Sequence, residues 1–176
     1  MRTSLFFFLL LPFVSLSQEG DDELIQWKAG HRLKWDDYQA KPKPGVDAAA
    51  STATFLAIEY NFENNAFGYK ISCSFSRKKS WAQHKNDYIL AHEQGHFDIA
   101  EIYARLLNKR MKDYKFDKTT YKTELGKIYH SVLDEKEAFQ NSYDDETNHS
   151  INKDKQAAWL KKIDGLLAET APYRNY

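Results

Sequence analysis

Two stretches near the middle of the chain alternate polar and apolar positions and predict a β-hairpin. Residues 51–62 are rich in Thr, Phe, Ile and Tyr. In residues 67–76, aromatic and aliphatic side chains alternate with Gly, Lys and Ser, which is the period of a strand with one buried face. Glu63-Asn64-Asn65 supplies turn residues between them. Cys73 falls on the apolar side, so we expect a small buried side chain rather than a reactive thiol.

The hydrophobic period changes from strand-like to helical after residue 80. Apolar side chains and two histidines then recur at steps of three and four as far as Met111, and no proline interrupts them. Ser80 followed by Gln83 resembles a capping box. We therefore predict one long helix that begins near Ser80 and turns a single stripe toward the core.

Two further helices are predicted after a polar gap. One begins at Thr119 or Thr120 and reaches Phe139, and the last carries an apolar stripe within residues 159–167. Residues 143–150 are polar and are predicted to be a loop. The pattern as a whole predicts an α+β fold, in which a small, mostly antiparallel sheet packs on the long helix with two further helices beside it.

The N-terminal part carries weaker patterns. Residues 1–17 combine Arg2, an apolar run of about ten residues and small residues near Ser17, which is typical of a cleaved signal peptide and too short to span a bilayer. Residues 18–30 are polar and acidic and predict an irregular lead-in, while residues 32–35 alternate like a short strand. We expect an exported protein, periplasmic or extracellular, with residues 18–176 as one domain.

The composition narrows the class of partner. Without residues 1–17 the chain has 24 basic and 25 acidic residues, a formal charge of −1, which argues against nucleic acid or an anionic membrane as a partner. No later stretch is apolar enough for an integral membrane segment. Cys73 is the single cysteine, so a monomer has no disulfide. Nothing in these numbers predicts an oligomeric state.

The sequence His92-Glu93-Gln94-Gly95-His96 is a candidate metal site. Residues four apart on a helix differ by about 40° in direction, so both imidazoles project into one small volume and can bind one Zn²⁺. Glu93 lies beside this stripe, where its carboxylate can act as general base toward a water molecule. Gly95 is costly inside a helix, and this indicates that a strand or a substrate backbone packs closely against it.

A catalytic zinc site needs a third protein ligand from elsewhere in the fold. Glu101 lies half a turn away from the His92 face, so helix geometry excludes it. His149 is the preferred candidate, because it lies in the predicted polar loop and can turn back toward the site. His130 is less natural, since Tyr129 and Val132 already occupy its helix surface. The carboxylates left open as alternatives are Glu135, Glu137 and Asp144.

Several stretches together resemble a family of bacterial secreted proteins of unknown function that is described as predicted zinc-dependent proteases. The resemblance covers nearly the whole mature chain and implies a zincin-like fold. It supports His149, because a Thr-x-His element belongs to the family pattern. Asp98 departs from longer metallopeptidase signatures, which prefer an apolar residue there. The stretches that carry the resemblance are Leu33-Lys34-Trp35-Asp36-Asp37-Tyr38, Ser80-Trp81, His92 to Ile99, and Tyr143 to His149 with Gln156 and Trp159.

These observations lead to one functional expectation and its rivals. We expect a secreted zinc metallopeptidase that cleaves peptide or protein substrates, with Glu93 as the catalytic base and His92, His96 and His149 as metal ligands. Tyr143 is expected to pack in the core, with contact to an oxyanion as the alternative role. The rival functions are a catalytically silent zinc-containing envelope protein, a zinc amidase acting on cell-wall peptides, and a metal-free scaffold.

Overall fold

The computed structural model describes residues 23–63 and 66–176, so the predicted signal peptide at 1–17 lies outside the described residues. The described part is a mixed α+β structure with three α-helices and small antiparallel sheets. The strands are β1 (Leu24–Gln26), β2 (Ala50–Ser51), β3 (Thr54–Glu63), β4 (Ala66–Ser76) and β5 (Trp81–Ala82). The helices are α1 (Asp87–Asp113), α2 (Tyr121–Thr147) and α3 (Lys153–Glu169).

The predicted hairpin is confirmed as β3 and β4, but its first strand, predicted from residue 51, is interrupted at residues 52–53 and begins at Thr54. The two strands pair antiparallel from Thr54 opposite Phe75 to Glu63 opposite Ala66. Strand β1 pairs with the other edge of β4, which gives the order β1-β4-β3. The prediction of an irregular lead-in was therefore wrong for residues 24–26. A strand of three residues is held by backbone pairing with β4, so it can form without a hydrophobic period in its own sequence.

The inner face of β4 packs on α1 and forms the centre of the core. Ile71, Cys73 and Phe75 are all buried there, and Phe75 contacts Phe97 of α1 with ring centroids 6.0 Å apart. The expectation that Cys73 is a buried side chain is confirmed. Burial also raises the pKa of its thiol well above the ordinary value. This packing fixes one face of α1 against the sheet and leaves another face for the candidate site.

The long helix is confirmed, but the prediction that it begins near Ser80 was wrong. Ser80 is buried and its hydroxyl accepts a hydrogen bond from the Ala53 backbone N–H at 2.9 Å, so it is committed to the sheet region rather than to a cap. Residues 81–82 form β5, which pairs with β2. The side chain of Asn86 is the actual cap, since it accepts from the Ile89 N–H at 2.8 Å.

The predicted loop at residues 143–150 was also wrong, because α2 continues to Thr147. Tyr143 follows Phe139 by one helical turn, and both rings pack on Trp159 of α3. Burial of this aromatic stripe outweighs the polar residues around it, of which Asn141, Ser142, Asp145 and Glu146 are exposed. The chain turns only at Asn148, His149 and Ser150, three consecutive residues with positive φ.

Residues 32–35 are not a strand, which corrects that prediction, and the segment is tied to the side of α1. The Leu33 N–H donates to the Gln94 side chain at 2.8 Å. Asp98 is buried and accepts hydrogen bonds from Trp27 and Arg32. The residue that departs from longer metallopeptidase signatures therefore anchors this segment.

Among the described helices, none combines the length and apolar character needed to cross a bilayer.

Candidate metal site

Two buried imidazoles and one carboxylate converge between α1 and α2. His92 and His96 lie one turn apart on α1, and their Nε2 atoms are 3.3 Å from each other. Asp144 of α2 places its Oδ1 atom 3.0 Å from each of these nitrogens. These three residues form a group that can hold a metal ion. Asp144 was one of the alternatives that the sequence left open for the third ligand.

Gly95 allows α2 to approach α1 closely enough to bring Asp144 to the histidines. A Cβ atom at Gly95 would lie 2.6 Å from the Tyr143 hydroxyl and 3.0 Å from two atoms of its ring. The close packing predicted at Gly95 is therefore real, but the partner is the side chain of Tyr143 rather than a strand. Tyr143 has no exposed surface and stacks on His92, with ring centroids 4.5 Å apart. This ring fixes the position of the neighbouring Asp144.

The hydroxyl of Tyr143 is used within the protein. It donates to the backbone carbonyl of His92 at 3.2 Å. Burial, followed by the nearby Glu93 and Asp144 carboxylates, raises the pKa of Tyr143 well above its ordinary value, so the phenol keeps its proton. These contacts support the packing role that the sequence favoured for Tyr143.

Gln140 orients one of the two imidazoles, and the sequence did not point to it. The Gln140 side-chain oxygen contacts Nδ1 of His96, and its amide nitrogen donates to the His96 carbonyl at 3.4 Å. Nδ1–H of His96 thus has an acceptor, which leaves the Nε2 lone pair directed at the cluster. Gln140 precedes Asp144 by one helical turn, so the two side chains lie on the same face of α2. This spacing could have pointed to Gln140 only if residues 143–147 had been predicted as helical.

The charges of the cluster shift the acidities of its members. Burial opposes ionisation of Asp144, but hydrogen bonds with His92 and His96 outweigh it and hold the pKa of this carboxyl well below its ordinary value. Burial alone would lower the pKa of His96, yet Asp144, Glu93 and Gln140 raise it above the ordinary value. The site is therefore electrostatically suited to a positive charge among these groups.

Glu93 is buried beside the cluster and is held by a hydroxyl that sequence reasoning missed. Thr52 donates to Glu93 Oε2 at 2.6 Å. The Tyr38 hydroxyl lies 2.8 Å from the same Thr52 oxygen, and it must be the donor because the single Thr52 hydrogen is used on Glu93. Burial and the Glu93 charge raise the pKa of Tyr38, so it keeps this proton. No sequence period links residues 38, 52 and 93.

His149 lies at the rim of the cluster rather than inside it. Its imidazole is 64% exposed, and Nδ1 is 3.9 Å from Asp144 Oδ1. The two other carboxylates that the sequence kept as alternatives lie elsewhere: Glu135 pairs with Arg110 on the surface, and Glu137 is exposed. Glu101, which helix geometry excluded, pairs with Arg105 away from the histidines.

A cavity of about 390 Å³ opens onto the three candidate ligands. Its lining includes the extended segment that contains β2 and, from the turn after α2, His149 and Ser150. The Ala49 carbonyl accepts from the Gln83 N–H at 2.8 Å, so Ala49 faces the side of β5. Because successive residues of a strand alternate, the peptide groups of Ala50 point to the other edge, which no strand covers within residues 23–63 and 66–176.

The donor set can be tested against the geometry of a bound cation. Zinc bonds of about 2.0–2.1 Å in a tetrahedron place ligand atoms roughly 3.3 Å from one another. Asp144 Oδ1 is 3.0 Å from each histidine Nε2 atom, and the two Nε2 atoms are 3.3 Å apart. Two imidazole nitrogens and one carboxylate oxygen also leave a fourth position free on the cavity side. The residues present therefore fit a metal ion with one open coordination position.

Comparison with known proteins identifies a family but no characterised relative. A family model described as "Bacterial protein of unknown function (DUF922)" matches residues 18–150, which include the two histidines, Glu93 and Asp144. Comparison with curated proteins gives no match, and comparison with solved structures gives none either.

Proposed function

The chain belongs to the DUF922 family of bacterial proteins, and we propose that it is a zinc-dependent peptidase. The single observation that carries this proposal is the meeting of two imidazole nitrogens and one carboxylate oxygen within 3.3 Å, beside a buried Glu93 and an open cavity. The ligands we assign are His92, His96 and Asp144. His149 is at the rim of the cavity, with its Nδ1 atom 3.9 Å from Asp144 Oδ1.

The residues divide the work of hydrolysis between them. Zinc, when bound, supplies a Lewis acid that polarises a carbonyl and lowers the pKa of a water molecule. Glu93 accepts the proton of the attacking water and passes it to the leaving amine. Thr52 fixes the carboxylate of Glu93 through Oε2, so its other oxygen is free for this proton transfer. Tyr38 completes the support by donating to Thr52.

The uncovered edge of β2 favours an extended peptide as the substrate. Ala50 lines the cavity and its peptide groups point away from β5, so they can hydrogen-bond to a substrate that lies alongside as an additional strand. We infer that a helix with both imidazoles beside such an edge corresponds to the zincin-like arrangement that the sequence resemblance implies. A peptide held there would present its scissile bond to Glu93. Export from the cytoplasm, expected from residues 1–17, is consistent with a substrate in the cell envelope or outside the cell.

The direct test compares Glu93→Gln with wild type on a broad peptide mixture. Glu93→Gln should retain one zinc per chain, because Glu93 is not a ligand, and should lose turnover by about 10²- to 10⁴-fold. Glu169→Gln, at an exposed position at the end of α3, is the matched control and should behave like wild type. Chelation should abolish cleavage by the wild type.

Different outcomes separate the rival functions. Wild-type rates in Glu93→Gln would remove this residue from the mechanism. One bound zinc with no cleavage of any peptide would favour the catalytically silent zinc protein, while cleavage confined to cell-wall peptides would favour the amidase. A chain that binds no metal would support the scaffold.

A further inference from the structure

A second groove lies next to the metal cavity, between the start of β3 and α2. It measures about 430 Å³. Thr52 and Gln140 line both this groove and the metal cavity, so the two spaces are adjacent at these residues. The remaining lining residues are Ala53 and Thr54 from the strand side and Leu133, Lys136 and Glu137 from α2. An extended chain that passes the metal ligands can therefore continue into this groove.

Lys136 is the charged side chain set into the groove. It is half-buried, and within the described residues no carboxylate lies within ion-pair distance of its Nζ atom. Its neighbour Glu137 is exposed at the rim. Burial lowers the pKa of Lys136, and the charge of Glu137 offsets this loss of hydration only in part. An ammonium in this environment gains from any anionic group that enters the groove.

The spacing along α2 sets the distance between this lysine and the metal ligands. Lys136, Gln140 and Asp144 follow one another at intervals of four residues, so they lie along one face of the helix. Eight residues of helix span about 12 Å. A peptide in extended conformation advances roughly 3.3 Å per residue, so about three or four residues bridge the interval.

We propose that Lys136 is a specificity-determining residue that binds a carboxylate of the substrate three or four residues from the scissile bond. The inference rests on the proposed peptidase function and names its substrate class, an extended acidic peptide. The carboxylate is that of an Asp or Glu side chain or of the chain terminus, since both offer the same chemistry to the ammonium.

The test maps cleavage sites in a mixture of proteome-derived peptides. Wild type should enrich Asp or Glu about tenfold at one position three or four residues from the cut. Lys136→Met keeps the aliphatic volume and should lose this preference while still cutting, and Lys136→Glu should prefer Lys or Arg there. Lys127→Met removes a charge from an exposed position of α2 and should cleave like wild type. A parallel set of peptides with amidated C-termini distinguishes side-chain carboxylates from the terminal one.

The results that overturn this inference differ from those that overturn the peptidase. Cleavage without acidic enrichment, or enrichment that survives in Lys136→Met, refutes the role of Lys136 and leaves the peptidase intact. Absence of any cleavage by wild type refutes the peptidase. In that case, the immobilised zinc-loaded chain is incubated with the same peptide mixture. Equal retention of acidic peptides by wild type and Lys136→Met then refutes the binding role as well.

Discussion

Gly95 holds α1 and α2 at the distance that the metal site requires, and replacing it with alanine tests that arrangement. In a helix interior, alanine is favoured over glycine by about 1 kcal/mol. At Gly95 the added Cβ would lie 2.6 Å from the hydroxyl and 3.0 Å from two ring atoms of Tyr143. Overpacking of this kind costs roughly 1–3 kcal/mol, and the upper end applies because the Tyr143 ring is buried and stacked on His92. We expect Gly95→Ala to be destabilised by about 2 kcal/mol.

The matched control is Gly165→Ala in α3, where a Cβ would meet nothing within 4 Å. This exposed position should gain up to about 1 kcal/mol, so the two variants should differ by roughly 3 kcal/mol in the free energy of unfolding. In a chain of this size that difference corresponds to about 6–12 °C in melting temperature. Denaturant titration and thermal unfolding measure both quantities.

Metal affinity gives a second measure of the same change. Pushing Tyr143 outward also moves Asp144, so Gly95→Ala should bind zinc at least about tenfold more weakly than wild type, a change of about 1.4 kcal/mol. Adding Tyr143→Phe removes the closest atom and should restore part of the stability, measured as a coupling energy in a double-mutant cycle. If Gly95→Ala matches Gly165→Ala in stability and wild type in zinc affinity, the close contact does not position the site.

Three further predictions follow from other parts of the structure. Thr52→Val should destabilise the protein by about 1–3 kcal/mol, because Tyr38 and Glu93 both lose a partly buried hydrogen bond, and it should lower kcat more than it raises KM. Thr52→Ser should retain both the stability and the kcat of wild type. Zinc at about one hundred times its Kd should increase the free energy of unfolding by about 2.7 kcal/mol and raise the melting temperature by roughly 5–10 °C. Chelation should remove this increase, and His96→Ala should abolish it. Cys73 should resist thiol reagents at neutral and mildly alkaline pH, because burial raises its pKa, and should react only after denaturation; rapid labelling of the native chain would contradict its burial.

The parts of the fold that a local period encodes could be predicted from the sequence. The alternation in residues 67–76 identified β4 and the buried side of Cys73, and the step of four residues placed His92 and His96 together. Both inferences depend only on side chains that are neighbours on one strand or one helix turn. They therefore needed no knowledge of how the elements pack.

The remaining features depend on packing between distant segments. Ser80 looks like a helix cap in sequence, but its hydroxyl bonds to Ala53 across the structure. The polar residues after Phe139 suggested a loop, yet burial of Tyr143 against α1 and α3 extends the helix and aims Asp144 at the histidines. Long-range contacts of this kind leave no periodic trace in the sequence, and they decide the third ligand that we propose.

The most direct test of the central claim is the zinc content of purified wild type beside Asp144→Asn, His149→Ala and His96→Ala. We predict one tightly bound zinc per chain in wild type and in His149→Ala, and loss of tight binding in Asp144→Asn and His96→Ala, with native circular dichroism in all four proteins. Loss of zinc in His149→Ala with retention in Asp144→Asn would move the third ligand to the rim. Absence of tightly bound metal from wild type would contradict the account as a whole.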